Sequence, residues 1–193
     1  MPDHFEPDID ETGSGPIFKL PSGIDPDLET CVMHASAIVM DQFGLLLRGV
    51  SGSGKSLLQR YLRERATTEG LYSALVSDDY VKLVRLPDNG AEGMQEATAP
   101  PLLGFAPTAT YGLQEIRGIG VTSVGQDECL RYAVMHLLVD LTPSGQIRRM
   151  PAREQCHTSL MGHLIPTLDV PQRSVIEASD LIFGLLSTWK DLS

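Results

Sequence analysis

The spacing of hydrophobic and polar residues changes several times between residues 31 and 70, and each change predicts an element. Apolar positions dominate residues 33–40, a polar turn follows at 41–44, and a second apolar run occupies 45–48, which predicts a hairpin of two strands. After a glycine-rich segment, apolar residues recur at helical spacing from 57 to 65, and Gly70 supplies a stop. The pattern predicts a strand, a loop and a helix in succession.

Two further strands are predicted after this helix. Residues 71–76 form an apolar run that ends in an acidic pair, and residues 80–84 alternate towards a hairpin turn at 88–90. Ligands of α/β sheets bind beyond the carboxyl ends of strands. We therefore expect the acidic pair to lie beside the glycine-rich segment if the two strands are neighbours.

The second half of the chain gives weaker patterns. Residues 99–107 predict a loop or crossover, and 113–118 predict a short strand. Residues 132–141 predict a strand with Ala133, Met135, Leu137 and Val139 on its core face, although a helix would also accommodate the run. Beyond residue 143, prolines predict that regular elements are limited to short pieces. These prolines are Pro151, Pro166 and Pro171.

Composition separates an acidic leader from the rest of the chain. Eight acids and one base precede Thr30, and this stretch has little apolar periodicity. Burial of such a segment could hardly offset the entropy lost on ordering it. We expect residues 1–29 to be a mobile leader, with a docking function as the alternative, and residues 30–193 to be one domain.

Charge and composition also exclude classes of protein. The net charge of −10 gives no electrostatic reason to bind nucleic acid. No run of about 18 apolar residues is present to span a membrane. The first residues lack the features of a secretory signal, which favours a cytoplasmic location, and three widely spaced cysteines favour reduced thiols.

The glycine-rich segment matches the P-loop pattern G-x-x-x-x-G-K-[ST] in full. Its residues are Gly49, Val50, Ser51, Gly52, Ser53, Gly54, Lys55 and Ser56. Backbone N–H groups of such a loop converge on phosphate oxygens, its lysine neutralises the β and γ phosphates, and its hydroxyl ligates magnesium. The alternative is a purely structural glycine loop. The strand before it and the helix after it favour a nucleoside triphosphate with Mg²⁺.

A P-loop needs a carboxylate at a nearby strand end, and Asp78 and Asp79 are the acidic pair that follows an apolar strand. One of them can hold the metal ion, directly or through water. The other can accept a proton from an attacking hydroxyl. The alternative is a turn or helix cap in which both aspartates have structural roles.

Three other side chains are candidates for the same site. His34 lies one hairpin strand away from the P-loop, although a lone histidine is as often a packed residue. Glu115 and Arg117 are two positions apart and so share a face of their strand, offering a carboxylate for metal and a cation for phosphate. An internal ion pair between them is the alternative.

Four segments resemble those of the HPr kinase/phosphorylase catalytic domain in order and spacing, over roughly residues 31–141. They are Met33-His34-Ala35, the P-loop, Val76-Ser77-Asp78-Asp79 and Glu115-Ile116-Arg117-Gly118-Ile119-Gly120-Val121. The resemblance implies an α/β fold similar to phosphoenolpyruvate carboxykinase, a single P-loop kinase domain with a mixed sheet and flanking helices. It also implies ATP and Mg²⁺ as cofactors.

The resemblance further implies an ATP-dependent serine protein kinase. Its partner would be HPr, the phosphocarrier of the sugar phosphotransferase system, and its action would regulate carbon metabolism. Members of the family form homo-oligomers, so a hexamer is expected. The acidic leader stands where full-length members carry an amino-terminal domain, as in the short alphaproteobacterial form.

Roles carry over to matching positions. Lys55 and the P-loop would hold the triphosphate, Ser56 and Glu115 would bind magnesium, and Asp79 would be the proton acceptor. Asp78 is then the metal-holding carboxylate of the pair. The other active-site residues implied are His34, Arg117 and Arg149.

One late segment departs from the family. The motif P-x-R-P-G-R, which supports dephosphorylation and helps to grip HPr, is not reproduced, and residues 168–173 are only a weak echo of it. Kinase activity is therefore expected and the reverse phosphorylase activity is left open. Two alternatives remain: a kinase for a small metabolite such as free serine, and a regulator that binds nucleotide without transferring phosphate.

Overall fold

The computed structural model describes residues 17–20, 24–25, 27–87 and 101–191, and these form a mixed β-sheet with α-helices packed on it. In chain order the elements are β1 (Thr30–Met40), β2 (Phe43–Arg48), α1 (Lys55–Thr68), β3 (Ser73–Ser77), β4 (Tyr80–Arg85), β5 (Leu102–Phe105), β6 (Leu113–Ile116), β7 (Gly120–Ser123), β8 (Tyr132–Val134), β9 (Leu137–Thr142), β10 (His157–Leu160), β11 (His163–Pro171) and α2 (Val175–Lys190). The predicted α/β fold with a mixed sheet and flanking helices is confirmed.

The main sheet has the strand order β10-β11-β9-β2-β1-β4-β5-β8, and β3 pairs with β1 outside this path. Strand β9 runs parallel to both β2 and β11, whereas β1 pairs antiparallel with β2, β3 and β4. Strands β6 and β7 form a separate two-stranded hairpin. Because β2 and β3 both run against β1, their carboxyl ends lie at the same edge of the sheet.

The predicted succession of hairpin, loop and helix is confirmed by β1, β2 and α1. Gly54, with φ of 105°, precedes the helix. Gly70, with φ of 75°, follows its end, and the Leu71 amide donates back to the Ala66 carbonyl. This closure is the Schellman type that a glycine at a helix C-terminus allows.

Two apolar clusters lie on opposite faces of the central strands. On one face, α1 and α2 bury their apolar stripes against β1, β2, β3, β9 and β11. On the other face, residues of β4 and β5 pack against the alternate positions of β1, β2 and β9. The alternation along each central strand follows from its period of two, and burial on both faces explains why these strands are so apolar.

Three sequence predictions about elements are wrong. The segment predicted as a loop at 99–107 contains strand β5, which pairs between β4 and β8. The run 132–141 is two strands, β8 and β9, and its buried residues Met135 and Leu137 belong to opposite clusters. The limit to short pieces beyond residue 143 fails for β11 and α2, which have 9 and 16 residues.

The prolines of β11 lie where they interrupt little pairing. Pro166 faces the short strand β10, and the ladder with β9 begins only at Thr167. Pro171 is the last residue of the strand. A proline without an N–H is tolerated at such positions of a sheet. The prediction from the prolines alone therefore gave too short a length for this strand.

Part of the predicted leader packs against the sheet. Apolar side chains between residues 18 and 28 contact the cluster of Val84, Leu103 and Phe105 on β4 and β5. They are Phe18, Leu20, Ile24 and Leu28. Residues 1–16 and the turn predicted at 88–90 lie outside the described residues, so the mobility of the leader and its boundary at residue 29 stay predictions. Within the described part of the chain, no helix is long and apolar enough to cross a membrane.

Candidate active site

The P-loop joins the end of β2 to the start of α1, as the sequence predicts. Gly52 and Gly54 have φ of 76° and 105°, in the left-handed region that favours glycine. Lys55 is 7% exposed, and its Nζ donates a hydrogen bond of 2.9 Å to the Gly49 carbonyl. The lysine is thereby folded back along the loop, with its charge at the position where phosphates would bind.

The base of the loop leaves no room for a side chain at Gly49. A Cβ there would lie 2.7 Å from Ser53 Oγ and 3.0 Å from Leu141 Cβ. Ser53 Oγ itself is buried and makes no hydrogen bond within the described residues. An unpaired buried hydroxyl in a phosphate loop is the kind of group that an anionic ligand satisfies.

The two aspartates that follow β3 lie at the same edge of the sheet as the P-loop, although β1 separates β3 from β2. Asp78 is 9% exposed, and its Oδ2 accepts a hydrogen bond of 2.8 Å from the Glu115 amide. The Ser56 side chain lies close enough to Asp78 to oppose the rise of the pKa of this carboxyl. Asp78 therefore connects the P-loop serine to the hairpin that carries Glu115.

Burial shifts the ionisation of two of these groups. Desolvation raises the pKa of Asp78, while hydrogen bonds from the Glu115 amide and Ser56 oppose the rise. Desolvation also lowers the pKa of Lys55, and the negative charges of Asp79 and Asp78 oppose that change. The charge of Lys55 is thus partly supported by Asp79 and Asp78, and the charge of Asp78 by these hydrogen bonds and by Arg60.

His34 and Asp79 form a pair at the mouth of the site. His34 lies on β1 directly opposite Tyr80, so it faces the turn that contains Asp79. Its Nε2 is 3.4 Å from Asp79 Oδ1, and the two side chains are 44% and 61% exposed. The His34 ring also packs edge-on against Tyr80. Of the two aspartates, Asp79 is the one whose carboxylate is accessible to a substrate.

Glu115 and Arg117 reach the site from the hairpin of β6 and β7. Glu115 lies on β6, and Arg117 begins the turn to β7. Within the described residues they do not pair with each other, so the internal ion pair considered as an alternative is not formed. Both side chains face the same cleft.

A cleft of about 420 Å³ collects these groups. It is lined by His34, Ser51, Gly52, Gly54, Lys55, Ser56, Leu57, Arg60, Asp79, Glu115, Arg117 and Arg173. Gly49, Val50, Ser53 and Asp78 belong to the same elements without lining the cleft. Arg149, matched to the family only loosely, does not line it. The structure thus brings together most residues singled out in the sequence.

Two lining arginines were not identified from the sequence. Arg60 lies one turn beyond Ser56 on α1 and donates to its carbonyl at 3.2 Å, so helical spacing was a signal for it. Arg173 follows β11, far away in sequence. Its Nε donates to the Gly52 carbonyl at 3.1 Å and its amide to the Ser53 carbonyl at 2.9 Å.

Arg173 also has φ of 60°, an uncommon conformation for a residue with a side chain. Its backbone lies 3.6 Å from the position that a Cβ on Gly54 would occupy. Strain of this kind persists where surrounding contacts fix it, and it is frequent at binding sites. The weak echo of the family motif at 168–173 was the only sequence signal for this arginine.

The donor set fits a nucleoside triphosphate and Mg²⁺. The glycine conformations, buried Lys55 and unpaired Ser53 Oγ suit phosphate oxygens. Ser56, Asp78 and Glu115 offer the few oxygen ligands with which Mg²⁺ is held when phosphates and water complete its shell. No group of three or more His, Cys, Asp or Glu side chains able to hold a metal alone occurs in the described part of the chain.

The fold is similar to that of a solved structure described as the HPr(Ser) kinase/phosphatase from Coxiella burnetii. The two share 24% sequence identity at a TM-score of 0.63, and the match covers 83% of this chain and 90% of that chain. The chain has the fold of that kinase/phosphatase. No protein-family model and no curated protein matches the sequence. The resemblance stated from sequence motifs is therefore supported at the level of the fold.

Proposed function

We propose that this chain is a magnesium- and ATP-dependent kinase that phosphorylates a serine hydroxyl on an HPr-type phosphocarrier protein. The observation that carries the proposal is the pairing of His34 with the exposed Asp79 in one cleft with the P-loop. A P-loop alone indicates nucleotide binding. An accessible carboxylate beside it adds a proton acceptor for an attacking hydroxyl.

In the proposed reaction the acceptor hydroxyl lies between Asp79 and the γ-phosphorus. Its proton passes to Asp79, its oxygen bonds to phosphorus, and the bond from phosphorus to the β–γ bridging oxygen breaks to release ADP. Lys55, with Arg117 and Arg173 at the cleft wall, stabilises the charge that spreads over the phosphoryl oxygens. Mg²⁺ held by Ser56, Asp78 and Glu115 would supply further charge neutralisation.

His34 orients the acceptor of the proton. Its ring is held against Tyr80 while Nε2 meets Asp79 Oδ1, so rotation of the Asp79 carboxylate is restricted. Catalysis by phosphoryl transfer depends mainly on such positioning and on electrostatics. A hexamer or another homo-oligomer is part of this proposal, by analogy with the family.

The test is transfer of label from γ-labelled ATP to HPr. We expect label on a serine of HPr, and we expect Asp79→Asn to lower kcat by about 10²- to 10⁴-fold with little change in ATP affinity. Asp127→Asn, at an exposed aspartate outside the cleft lining, is the matched control and should keep wild-type kcat.

Three results would contradict the proposal. Label that reaches HPr equally well in Asp79→Asn would remove the role of the aspartate. Label that reaches free serine but no protein would favour a metabolite kinase, and tight ATP binding without any transfer would favour a nucleotide-binding regulator.

A further inference from the structure

Behind the cleft, a buried arginine connects α1 to the hairpin that carries Glu115 and Arg117. Arg63 is 9% exposed, and no carboxylate of the described residues lies within ion-pair distance of it. Its Nε donates to Gln59 Oε1 at 3.1 Å, and an Nη donates to Gln114 Oε1 at 2.7 Å. A buried cation is costly, and here two neutral amides compensate it.

Arg63 fixes the orientation of the Gln59 side-chain amide. A guanidinium has only donors, so Gln59 must present its oxygen to Arg63. The Gln59 nitrogen then faces Asp78 Oδ1 at 3.5 Å, a long contact, in a fully buried position. If the amide turned over, its oxygen would face a carboxylate oxygen and repel it. The arginine therefore acts on Asp78 through Gln59.

Arg63 also holds the hairpin from the other side. Strands β6 and β7 pair only with each other within the described residues, and an isolated two-stranded hairpin is marginally stable. Two short hydrogen bonds attach β6 to the body: the Glu115 amide donates to Asp78 Oδ2 at 2.8 Å, and Arg63 donates to Gln114 Oε1 at 2.7 Å. Gln114 Oε1 also accepts a long contact of 3.5 Å from Gln59 Nε2. These anchors involve adjacent residues of β6.

We propose that Arg63 is a positioning residue that brings Asp78 and Glu115 together beside Ser56. It does so by fixing the Gln59 amide against Asp78 and by fixing Gln114, the neighbour of Glu115, against α1. The role of this arrangement in catalysis rests on the proposed kinase function. The positions of Asp78 and Glu115 can nevertheless be tested without measuring phosphate transfer.

The first test is hydrogen–deuterium exchange of residues 113–123 in the nucleotide-free protein. Arg63→Met should speed exchange of these amides by about tenfold, because a charge-assisted anchor is lost. Arg65→Met is the matched control, since Arg65 lies on the same helix and pairs instead with Glu69 and Asp180. Arg63→Lys, which keeps the charge but not the two-pronged contact, should be intermediate. Unchanged exchange in Arg63→Met would overturn the inference.

The second test compares ATP affinity with and without Mg²⁺ by calorimetry. In Arg63→Met, the factor by which Mg²⁺ increases ATP affinity should fall by about tenfold, because Asp78 and Glu115 no longer converge. The affinity for ATP without Mg²⁺, which depends on the P-loop, should change by less than about twofold. An equal loss in both conditions would mean that Arg63 merely supports α1, and would also overturn the inference.

Gln114→Ala provides a second route if Arg63→Met fails to fold, since Gln114 is only half-buried and its removal breaks the same anchor. The same faster hairpin exchange is expected. Neither test measures transfer to HPr. A wild-type protein that transfers no phosphate to HPr would therefore contradict the proposed function alone. A wild-type protein that does transfer it, combined with unchanged hairpin exchange in Arg63→Met, would contradict only the positioning role of Arg63.

Discussion

Asp78 and Asp79 are adjacent in sequence, yet their carboxylates occupy opposite environments. Asp78 is buried, accepts the Glu115 amide and has a pKa raised by desolvation. Asp79 projects into the cleft, where His34 contacts it. Successive residues after a strand point in different directions, so two neighbouring acids can serve a metal and a proton transfer separately.

A histidine outside the cleft makes the stability of the protein depend on pH. The Gly44 amide donates to His136 Nδ1 at 2.9 Å, so this nitrogen carries no proton in the folded state. Burial lowers the pKa of His136 below its ordinary value of about 6.5, and the Val134 backbone opposes this in part. The unfolded chain therefore binds a proton at a higher pH than the folded chain does.

We predict that the free energy of unfolding decreases as the pH falls below about 6.5, because protonation then favours the unfolded chain. His136→Asn keeps an acceptor for the Gly44 amide but does not titrate, so this part of the pH dependence should be absent. Urea denaturation at pH 7.5 and 5.5 measures both values. An equal decrease between the two pH values in His136→Asn would contradict the prediction.

At the scale of elements, Gly44 in β2 and Gly184 in α2 have very different surroundings. A Cβ on Gly44 would lie 1.9 Å from the Val134 carbonyl oxygen, where the start of β2 passes the end of β8. Gly184 lies in the middle of α2, is exposed, and has no atom within 4 Å of such a Cβ. The first glycine is required by close backbone approach, and the second only weakens its helix.

The pair gives opposite predictions for the same substitution. Gly44→Ala should destabilise the protein by about 3 kcal/mol, since the backbone must shift to admit the methyl group. Gly184→Ala should stabilise it by about 0.5–1 kcal/mol, through helix propensity. Chemical denaturation measures both. A stabilised Gly44→Ala would show that β2 and β8 do not approach so closely.

The elements that the sequence predicted well are those determined by neighbouring residues. Hairpin β1–β2, the P-loop, α1 and β3 follow one another with short connections, and each has its own spacing and stop signals. Helix α2 had a signal as well: Ser174 precedes it and donates to Glu177 Oε2 at 3.2 Å, the S-x-x-E pattern of a helix start. The prolines before it obscured that signal. Strand β5 had none, because its pairing partners are distant.

At the scale of the whole molecule, apolar residues that precede β1 cover part of one outer face of the sheet, namely Phe18, Leu20, Ile24 and Leu28. Their side chains pack on Val84, Leu103 and Phe105, and the Thr108 amide donates to the Ile17 carbonyl at 2.8 Å. Lys82 lies 5.8 Å above the Phe18 ring. Part of the acidic leader therefore contributes apolar surface to the domain.

We predict that Phe18→Ala lowers the free energy of unfolding by about 1–2 kcal/mol, less than at a fully buried site because Phe18 is half-buried. Lys19→Ala, at the exposed neighbouring position, should change it by less than about 0.5 kcal/mol. Urea midpoints of the two variants give the comparison. Equal midpoints would mean that this segment adds no stability.

The sequence by itself determined the P-loop, the helix after it and the acidic pair at a strand end, because these depend on local spacing and on the conformational freedom of glycine. It also indicated His34, Glu115 and Arg117 through their resemblance to one family. Only the tertiary structure decided that Arg173 meets Gly52 across more than a hundred residues, that Asp78 is buried while Asp79 is exposed, and that Arg63 anchors Gln114. Such contacts depend on how distant segments pack, and a local pattern of residues carries no record of that packing.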